Sequence, residues 1–366
     1  MRPTTQAPLP RVRDIVRSLL KLPSDGEIAA PWANLEDNYF WFSKSAHSLA
    51  VIAKCRQAVK KEISIKVWVP DFFCFGSLKL LLDTGVEVVF YTVNEDLTPD
   101  INNCEILAQS HKVDIFLHTH FFGAVVPTNL SAKFSKDHGA WLVEDAAQVL
   151  RAVKGVGSFG DCILYSPHKH LPIPDGAILV VKNTGISNLG EDAIAMNFFH
   201  ETTHNYIARS KDPLLPPYVW LSKRLIQMLG VRKVNNKIKF YPDDLPFPET
   251  LAPKISGLSK RLLIPLIANL DAIADHRSVN SKKWIDAMLW SSTGRLSPVV
   301  SFENPPYLAG FSGSSFDEVK DIFESLSSDG VGLPVSSWPD LPPEVVSKNH
   351  TRANDLRRTQ IYLPVH

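Results

Sequence analysis

Between residues 63 and 190 the chain alternates short apolar runs with amphipathic stretches. Ile65-Lys66-Val67-Trp68-Val69, the run 86–91 and Val113-Asp114-Ile115-Phe116-Leu117 are rich in β-branched and aromatic residues and too short for helices, so each predicts a buried strand. A helix is expected over 76–82. After Pro127 an amphipathic stretch runs to His138-Gly139, a helix-stop pair, and leads into the strand Ala140-Trp141-Leu142-Val143. Runs at 162–165 and 177–181 continue the series. This strand–helix–strand grammar predicts an α/β fold over about residues 27–190, with a mostly parallel sheet covered by helices on both faces.

Outside that region the pattern changes. Val12, Ile15, Val16, Leu19 and Leu20 at helical spacing make residues 1–26 a helical extension. Prolines cluster at 213–217, 242–248 and 339–343 and mark connections rather than element interiors. The first two clusters bound an insertion, 212–249, with Tyr218, Trp220, Leu221, Leu225, Ile226 and Leu229 among Lys223, Arg224, Arg232 and Lys233. A basic amphipathic helix of this kind suits a membrane surface. Packing on the protein or on a sister subunit is the commoner use, and is the expectation here. Helices over 258–275 and 316–328 then predict a smaller α/β domain. The expected organisation is an extension (1–26), a large domain (27–252) and a small C-terminal domain (253–366).

A chain of 366 residues with 45% hydrophobic content exceeds what one core usually serves, which agrees with two domains. Lys and Arg number 39 against 38 for Asp and Glu, so no global field favours nucleic acid or an anionic membrane, and any anion must be bound locally. Cys55, Cys74, Cys104 and Cys162 form neither Cys-x-x-Cys pairs nor a dense framework, as expected of free thiols in a reducing compartment. No run reaches the roughly 20 apolar residues needed to span a bilayer, and 1–10 lacks the basic-then-apolar order of a secretory signal. A soluble, cytoplasmic protein is expected.

The chemistry concentrates in two places. Glu144-Asp145-Ala146-Ala147-Gln148 closes the strand after Val143, putting Asp145 where open α/β sheets form their ligand crevices. Lys169 follows in the turn-forming stretch Ser166-Pro167-His168-Lys169-His170. A lysine that captures an aldehyde cofactor, beside a carboxylate that keeps a pyridine nitrogen protonated, is the pair required by pyridoxal phosphate.

These residues belong to an ordered series. Val69-Pro70-Asp71-Phe72, His120-Phe121-Phe122-Gly123, Glu144 to Gln148, Gly157-Ser158-Phe159-Gly160-Asp161, and Lys169 with Leu171-Pro172 and Asp175-Gly176-Ala177 fall in one sequence order. In this the chain resembles the DegT/StrS-type sugar-nucleotide aminotransferases, fold type I pyridoxal-phosphate enzymes, over about residues 30–185. The resemblance implies that Lys169 holds the cofactor and moves protons, that Asp145 partners the ring nitrogen, that Gln148 meets the ring's phenolic oxygen and that Ser166 meets the phosphate. It implies a second phosphate ligand at Ser43-Lys44-Ser45, where a helix start would offer free amides; Ser43 also reads as an ordinary N-cap. The family's stacking aromatic falls on Cys74, beside Phe73. His120 stands either against the ring or substrate, or packed on a strand end. The implied reaction is ping-pong transfer of an amino group from a donor such as glutamate to a keto-sugar nucleotide, in a homodimer.

Departures from the family stand in the same stretch. Ser43 and Lys44 replace a glycine-threonine pair, and the spacing from Ser166 to Lys169 is two residues short. Asp175-Gly176-Ala177 replaces Glu-Gly-Gly, and the asparagine motif a partner subunit commonly supplies is not recognisable before Ile255-Ser256. Three other readings compete. A sugar dehydratase on the same scaffold would lack the lysine that Lys169 supplies. A non-catalytic, regulatory relative would have no chemical need for Lys169, Asp145 and Gln148 together. His200-Glu201-Thr202-Thr203-His204 matches the His-Glu-x-x-His of zinc hydrolases, with no evident third ligand and two threonines that weaken the helix it needs.

Overall fold

The apolar runs of the central region become the strands of one sheet. The computed structural model describes residues 7–20, 23–185, 187–189, 193–208, 215–229, 240, 252–291, 295–299, 304–328, 334–347 and 350–366. Within them β1 (Asn38–Phe42), β2 (Lys66–Pro70), β3 (Glu87–Tyr91), β4 (Ile115–Thr119), β5 (Trp141–Ala146), β6 (Cys162–Tyr165) and β7 (Ala177–Val181) form a sheet of order β1-β7-β6-β5-β4-β2-β3. Strands β2 to β6 run parallel. β7 is antiparallel to both β6 and β1. β2, β4 and β7 are buried along almost their whole length, as a sheet covered on both faces requires.

Alternation along each strand divides the apolar residues between two layers. Val67, Ile115, Leu117, Trp141 and Val143 pack with the Ser45–Lys60 helix on one side. Trp68, Phe116 and Leu142 pack on the other with Phe134 of the Asn129–Asp137 helix. Each fully buried Leu or Phe in such a layer contributes about 1.5–3 kcal/mol.

A second, antiparallel sheet of order β10-β9-β8 is made by β8 (Ser297–Pro298), β9 (Leu308–Ser312) and β10 (Gln360–Pro364). Its core joins Phe311, Ile361 and Leu363 to Val319 and Phe323 of the Phe316–Ser327 helix. The Ser315 hydroxyl caps that helix by accepting from the Glu318 N–H, 3.3 Å.

The stretch expected as one helix over 258–275 is two, Gly257–Ile267 and Leu270–Ser291. Asn269 breaks it, with Nδ2 donating to the Pro265 carbonyl (2.6 Å) and its own carbonyl starting the second helix. Leu262, Leu266, Leu270 and Ala274 share one core across the break, so their four-residue spacing conceals it. The helix expected over 76–82 is a 3-10 turn, Phe75–Ser77, followed by Lys79–Leu82. The extension contains the Val12–Ser18 helix. Of the insertion, the structure describes the Leu215–Met228 helix, Leu229 and Phe240; Arg232 and Lys233 lie outside the described residues.

Candidate active site

Strand register brings distant residues to one edge of the large sheet. Thr119 pairs with Asp145, and Asp145 with Leu164. Ser166 follows Tyr165, which pairs with Ile178, and the Gly176 N–H donates to the Ser43 carbonyl at 2.8 Å. The carboxyl ends of β1, β4, β5 and β6 therefore meet the amino end of β7. This is the crevice position expected of an open α/β sheet.

Asp145 and Glu144 point to opposite sides of β5, as period two dictates. Asp145 is half-buried, and its Oδ1 accepts from the Ala147 N–H at 2.9 Å. Burial raises its carboxyl, with Lys169, that N–H and His120 pulling the other way. Lys169 sits on a single helical turn, Pro167–His170, with Ser166 before it and proline in the first helical position, where no N–H is needed. His168 anchors the turn, its backbone N–H and its Nδ1 both reaching the Gly176 carbonyl at 3.2 and 2.9 Å. Burial drives His168 down to about 4, against the Gly176 hydrogen bond and helped by Lys169 and Lys44; neutral at pH 7, it donates through Nδ1.

A potential anion cup lies beside this pair. Ser43, Ser166 and Thr119 are buried, and their hydroxyls have no hydrogen-bond partner among the described residues. Lys44 is the N-cap of the Ser45–Lys60 helix and makes no side-chain cap bond. Burial lowers its pKa and the Lys169 charge lowers it further. Two neighbouring ammonium groups, unsatisfied buried hydroxyls and the first amides of a long helix, where Ser45 stands, all call for an anion such as a phosphate. The donor set fits a phosphate-bearing aldehyde held by Lys169.

The other proposed positions are more enclosed. His120 is fully buried; its Nδ1 accepts from the Val126 N–H (3.1 Å) and its Nε2 meets Glu144 Oε2 (3.0 Å). Both nitrogens are thus engaged inside the fold, as in the packed alternative. Gln148 is half-buried, and its Oε1 accepts from the Phe122 N–H. Phe122 has φ of 59°, and Gly123, with φ of 89°, follows; a Cβ on Gly123 would meet the Gln148 carbonyl oxygen at 2.8 Å. Phe73 packs into the core beside Leu78 and Leu81, while Cys74, half-buried, begins the Phe75–Ser77 turn. Thr119 was not singled out in the sequence, and His168 read there only as a loop residue of the lysine turn. A threonine at the end of an apolar strand and a histidine in the lysine turn were the available signals.

His200, Glu201 and His204 do lie on a helix, Ala193–Ala208, whose buried Phe199 and Ala195 outweigh the threonines. His200 packs edge-on against Phe40, ring centroids 5.2 Å apart. Among the described residues no three His, Cys, Asp or Glu side chains converge as a metal site.

Residues 46–198 match the model of the DegT/DnrJ/EryC1/StrS aminotransferase family, bearing out the resemblance read from the motifs. No curated protein matches by sequence. Solved structures share the whole fold. PseC of Helicobacter pylori, an aminotransferase of pseudoaminic acid biosynthesis, aligns over 100% of this chain and 94% of its own, at TM-score 0.70 and 14% identity. Spr1654 of Streptococcus pneumoniae, a putative sugar aminotransferase in its pyridoxamine-phosphate form, aligns over 99% and 92%, at 0.68 and 13%. The GDP-4-keto-6-deoxy-D-mannose-3-dehydratase of E. coli, with hydrated pyridoxal phosphate, aligns over 96% and 87%, at 0.62 and 14%. The chain thus has the α/β fold of type I pyridoxal-phosphate aminotransferases.

Proposed function

We propose that this chain is a pyridoxal-phosphate-dependent aminotransferase that exchanges an amino group between an amino-acid donor such as glutamate and a keto-sugar nucleotide, working as a homodimer. The observation that carries the reading is the convergence at one sheet edge of Asp145, Lys169 and three buried hydroxyls, Ser43, Ser166 and Thr119, that have no partner among the described residues. Lys169 also favours aminotransfer over dehydration.

Pyridoxal phosphate, when bound, supplies an electron sink for the pair left at a substrate carbon after its proton is removed. Lys169 would bind the aldehyde carbon through Nζ and then, once displaced by a donor amine, carry the proton between carbons. The single-turn helix fixes where that amine is delivered, and neutral His168 holds the turn without competing for the proton. Asp145 would face the ring nitrogen. A cationic N–H there would offset the burial that now raises its carboxyl, so the carboxylate and the ring charge stabilise each other. Ser43, Ser45, Ser166 and Lys44 would hold the phosphate, whose charge relieves the repulsion between Lys44 and Lys169. Gln148, with its oxygen committed to Phe122, keeps its amide N–H groups for the ring's oxygen.

Borohydride treatment of protein loaded with pyridoxal phosphate, followed by digestion and mass mapping, tests the assignment. The reduced cofactor should be fixed to Lys169, and an absorbance band at roughly 400–430 nm should disappear. Label on another lysine, or on none, would overturn it.

A further inference from the structure

Arg277, on the Leu270–Ser291 helix, is 1% exposed. Its Nη1 donates to the Pro306 and Tyr307 carbonyls at 3.3 and 3.2 Å, and its Nη2 to the His170 carbonyl at 2.9 Å. Burial lowers the guanidinium to about 10, which leaves it charged at pH 7. A rigid planar fork thus grips two segments that lie far apart in the sequence.

Each segment leads to a side chain that the cofactor reading uses. His170 follows Lys169, and on the other side of the lysine His168 reaches the Gly176 carbonyl through both its N–H and its Nδ1. A helix of four residues has no stability of its own, so the groups that grip its ends decide where Lys169 stands. On the second arm the Tyr307 N–H donates to the Phe122 carbonyl at 2.8 Å, and the Phe122 N–H donates to Gln148 Oε1. Ring contacts run alongside: His170 meets Tyr307 edge-on with centroids 5.2 Å apart, and Phe122 stacks on Tyr362 at 4.9 Å. Gly123 leaves this run no slack, since a Cβ there would meet the Pro305 carbonyl oxygen and the Tyr307 nitrogen at 3.2 Å.

We propose that Arg277 is a positioning residue that ties the Lys169 turn to the 305–307 segment and, through Phe122, to Gln148. What it sets is the place of the Lys169 amine relative to the Gln148 amide. In pyridoxal phosphate the aldehyde carbon and the phenolic oxygen stand on adjacent ring atoms, so the two groups that meet them must keep one register. The proposal rests on the cofactor reading for what those side chains meet; the linkage between them needs no cofactor. Lysine cannot replace the fork, because it keeps the charge but offers one ammonium to two segments.

Arg277→Lys in the full chain, with and without cofactor, tests both parts. In the cofactor-free protein, hydrogen–deuterium exchange in peptides spanning 121–123 and 166–171 should quicken at least about tenfold beyond any change in the Lys66–Pro70 strand and the Phe316–Ser327 helix. That is the scale of one lost hydrogen bond to a charged group. In the loaded protein, the pH midpoint at which the band at roughly 400–430 nm fades should move by at least about 0.5 unit, and Gln148→Met should move it the same way. The double variant should shift it about as far as the larger single one, since both disturb one register. If Arg277→Lys does not fold, Arg277→Gln, which buries no charge, takes its place with the same expected results. Quickening everywhere alike, quickening in only one of the two peptides, an unmoved midpoint or additive shifts would each overturn the proposal. A wild-type protein that never shows the band would sink the cofactor reading instead, and the exchange pattern would then decide the linkage alone.

Discussion

Replacing Glu144 with glutamine should destabilise the fold far more than its single-atom change suggests. The side chain is 0% exposed and gathers four donors. Oε2 accepts from His120 Nε2 at 3.0 Å and from the Gly157 N–H, while Oε1 accepts from the N–H groups of Gly160 at 2.7 Å and Phe159 at 3.4 Å. His120 cannot turn away, because Val126 fixes its other nitrogen as an acceptor. Glutamine keeps one oxygen and presents an NH₂ to two donors. At about 1–3 kcal/mol for each buried donor left unpaired, with partial relaxation, the cost is about 2–4 kcal/mol.

The test is the urea midpoint of the cofactor-free protein at pH 7, read by tryptophan fluorescence. Burial alone would raise the Glu144 carboxyl, but His120 and the Gly157 and Gly160 amides outweigh it, and the pKa lies below the ordinary 4.5. Its ionised form therefore contributes stability in full above about pH 4.5, lost as pH falls through the lower folded value. The gap between wild type and Glu144→Gln should close in that acid range. A variant within about 0.5 kcal/mol of wild type at pH 7, or a gap that widens on acidification, would refute the reasoning.

Asp145→Asn should slow amino-acid-driven loss of the cofactor's absorbance on the order of 10³-fold while still binding cofactor. The same variant should stabilise the cofactor-free fold at pH 7, since burial raises the Asp145 carboxyl, and the advantage over wild type should fade as pH falls toward 3.8. Lys44→Met should weaken pyridoxal phosphate about tenfold by fluorescence titration and leave phosphate-free pyridoxal unchanged. Gly123→Ala, which meets backbone at 2.8 and 3.2 Å from a φ of 89°, should cost about 2–4 kcal/mol in the same unfolding assay. Metal analysis should find no stoichiometric zinc, and His204→Ala should not alter the result.

Periodicity made the buried strands legible to within about two residues, because β2, β4 and β5 are apolar on both faces and bounded by turn residues. The aromatic run Asn38–Phe42 went unread as a strand. It is an edge strand, its burial rising only toward Trp41 and Phe42, so it lacks a fully apolar signature. The antiparallel direction of β7 was equally hidden, since a continuous apolar run says nothing of orientation. Lys169 and Asp145 stood out because a lysine in a turn after a strand-end carboxylate is a rare pairing, and the structure brings the Lys169 charge to bear on Asp145. Arg277 did not, for a lone arginine in an amphipathic helix reads as surface, and its burial depends on the 306–307 and 170 carbonyls meeting it from elsewhere.

The adjacent carboxylates show how one short motif serves two different environments. Alternation on β5 gives Glu144 to the interior, where it satisfies His120 and the 157–160 loop, and gives Asp145 to the crevice, where it accepts from the Ala147 N–H. Environment then sets them apart: four donors hold Glu144 ionised, whereas burial without an equal set of donors raises Asp145. Exchanging the residues would not exchange the roles. An aspartate at 144 is one methylene short of the loop amides, and a glutamate at 145 would carry its carboxyl one methylene away from the Ala147 N–H. The network at Glu144 offers Asp145 no donor, and the Lys169 charge does not offset its burial, which is the demand a protonated pyridine ring would answer.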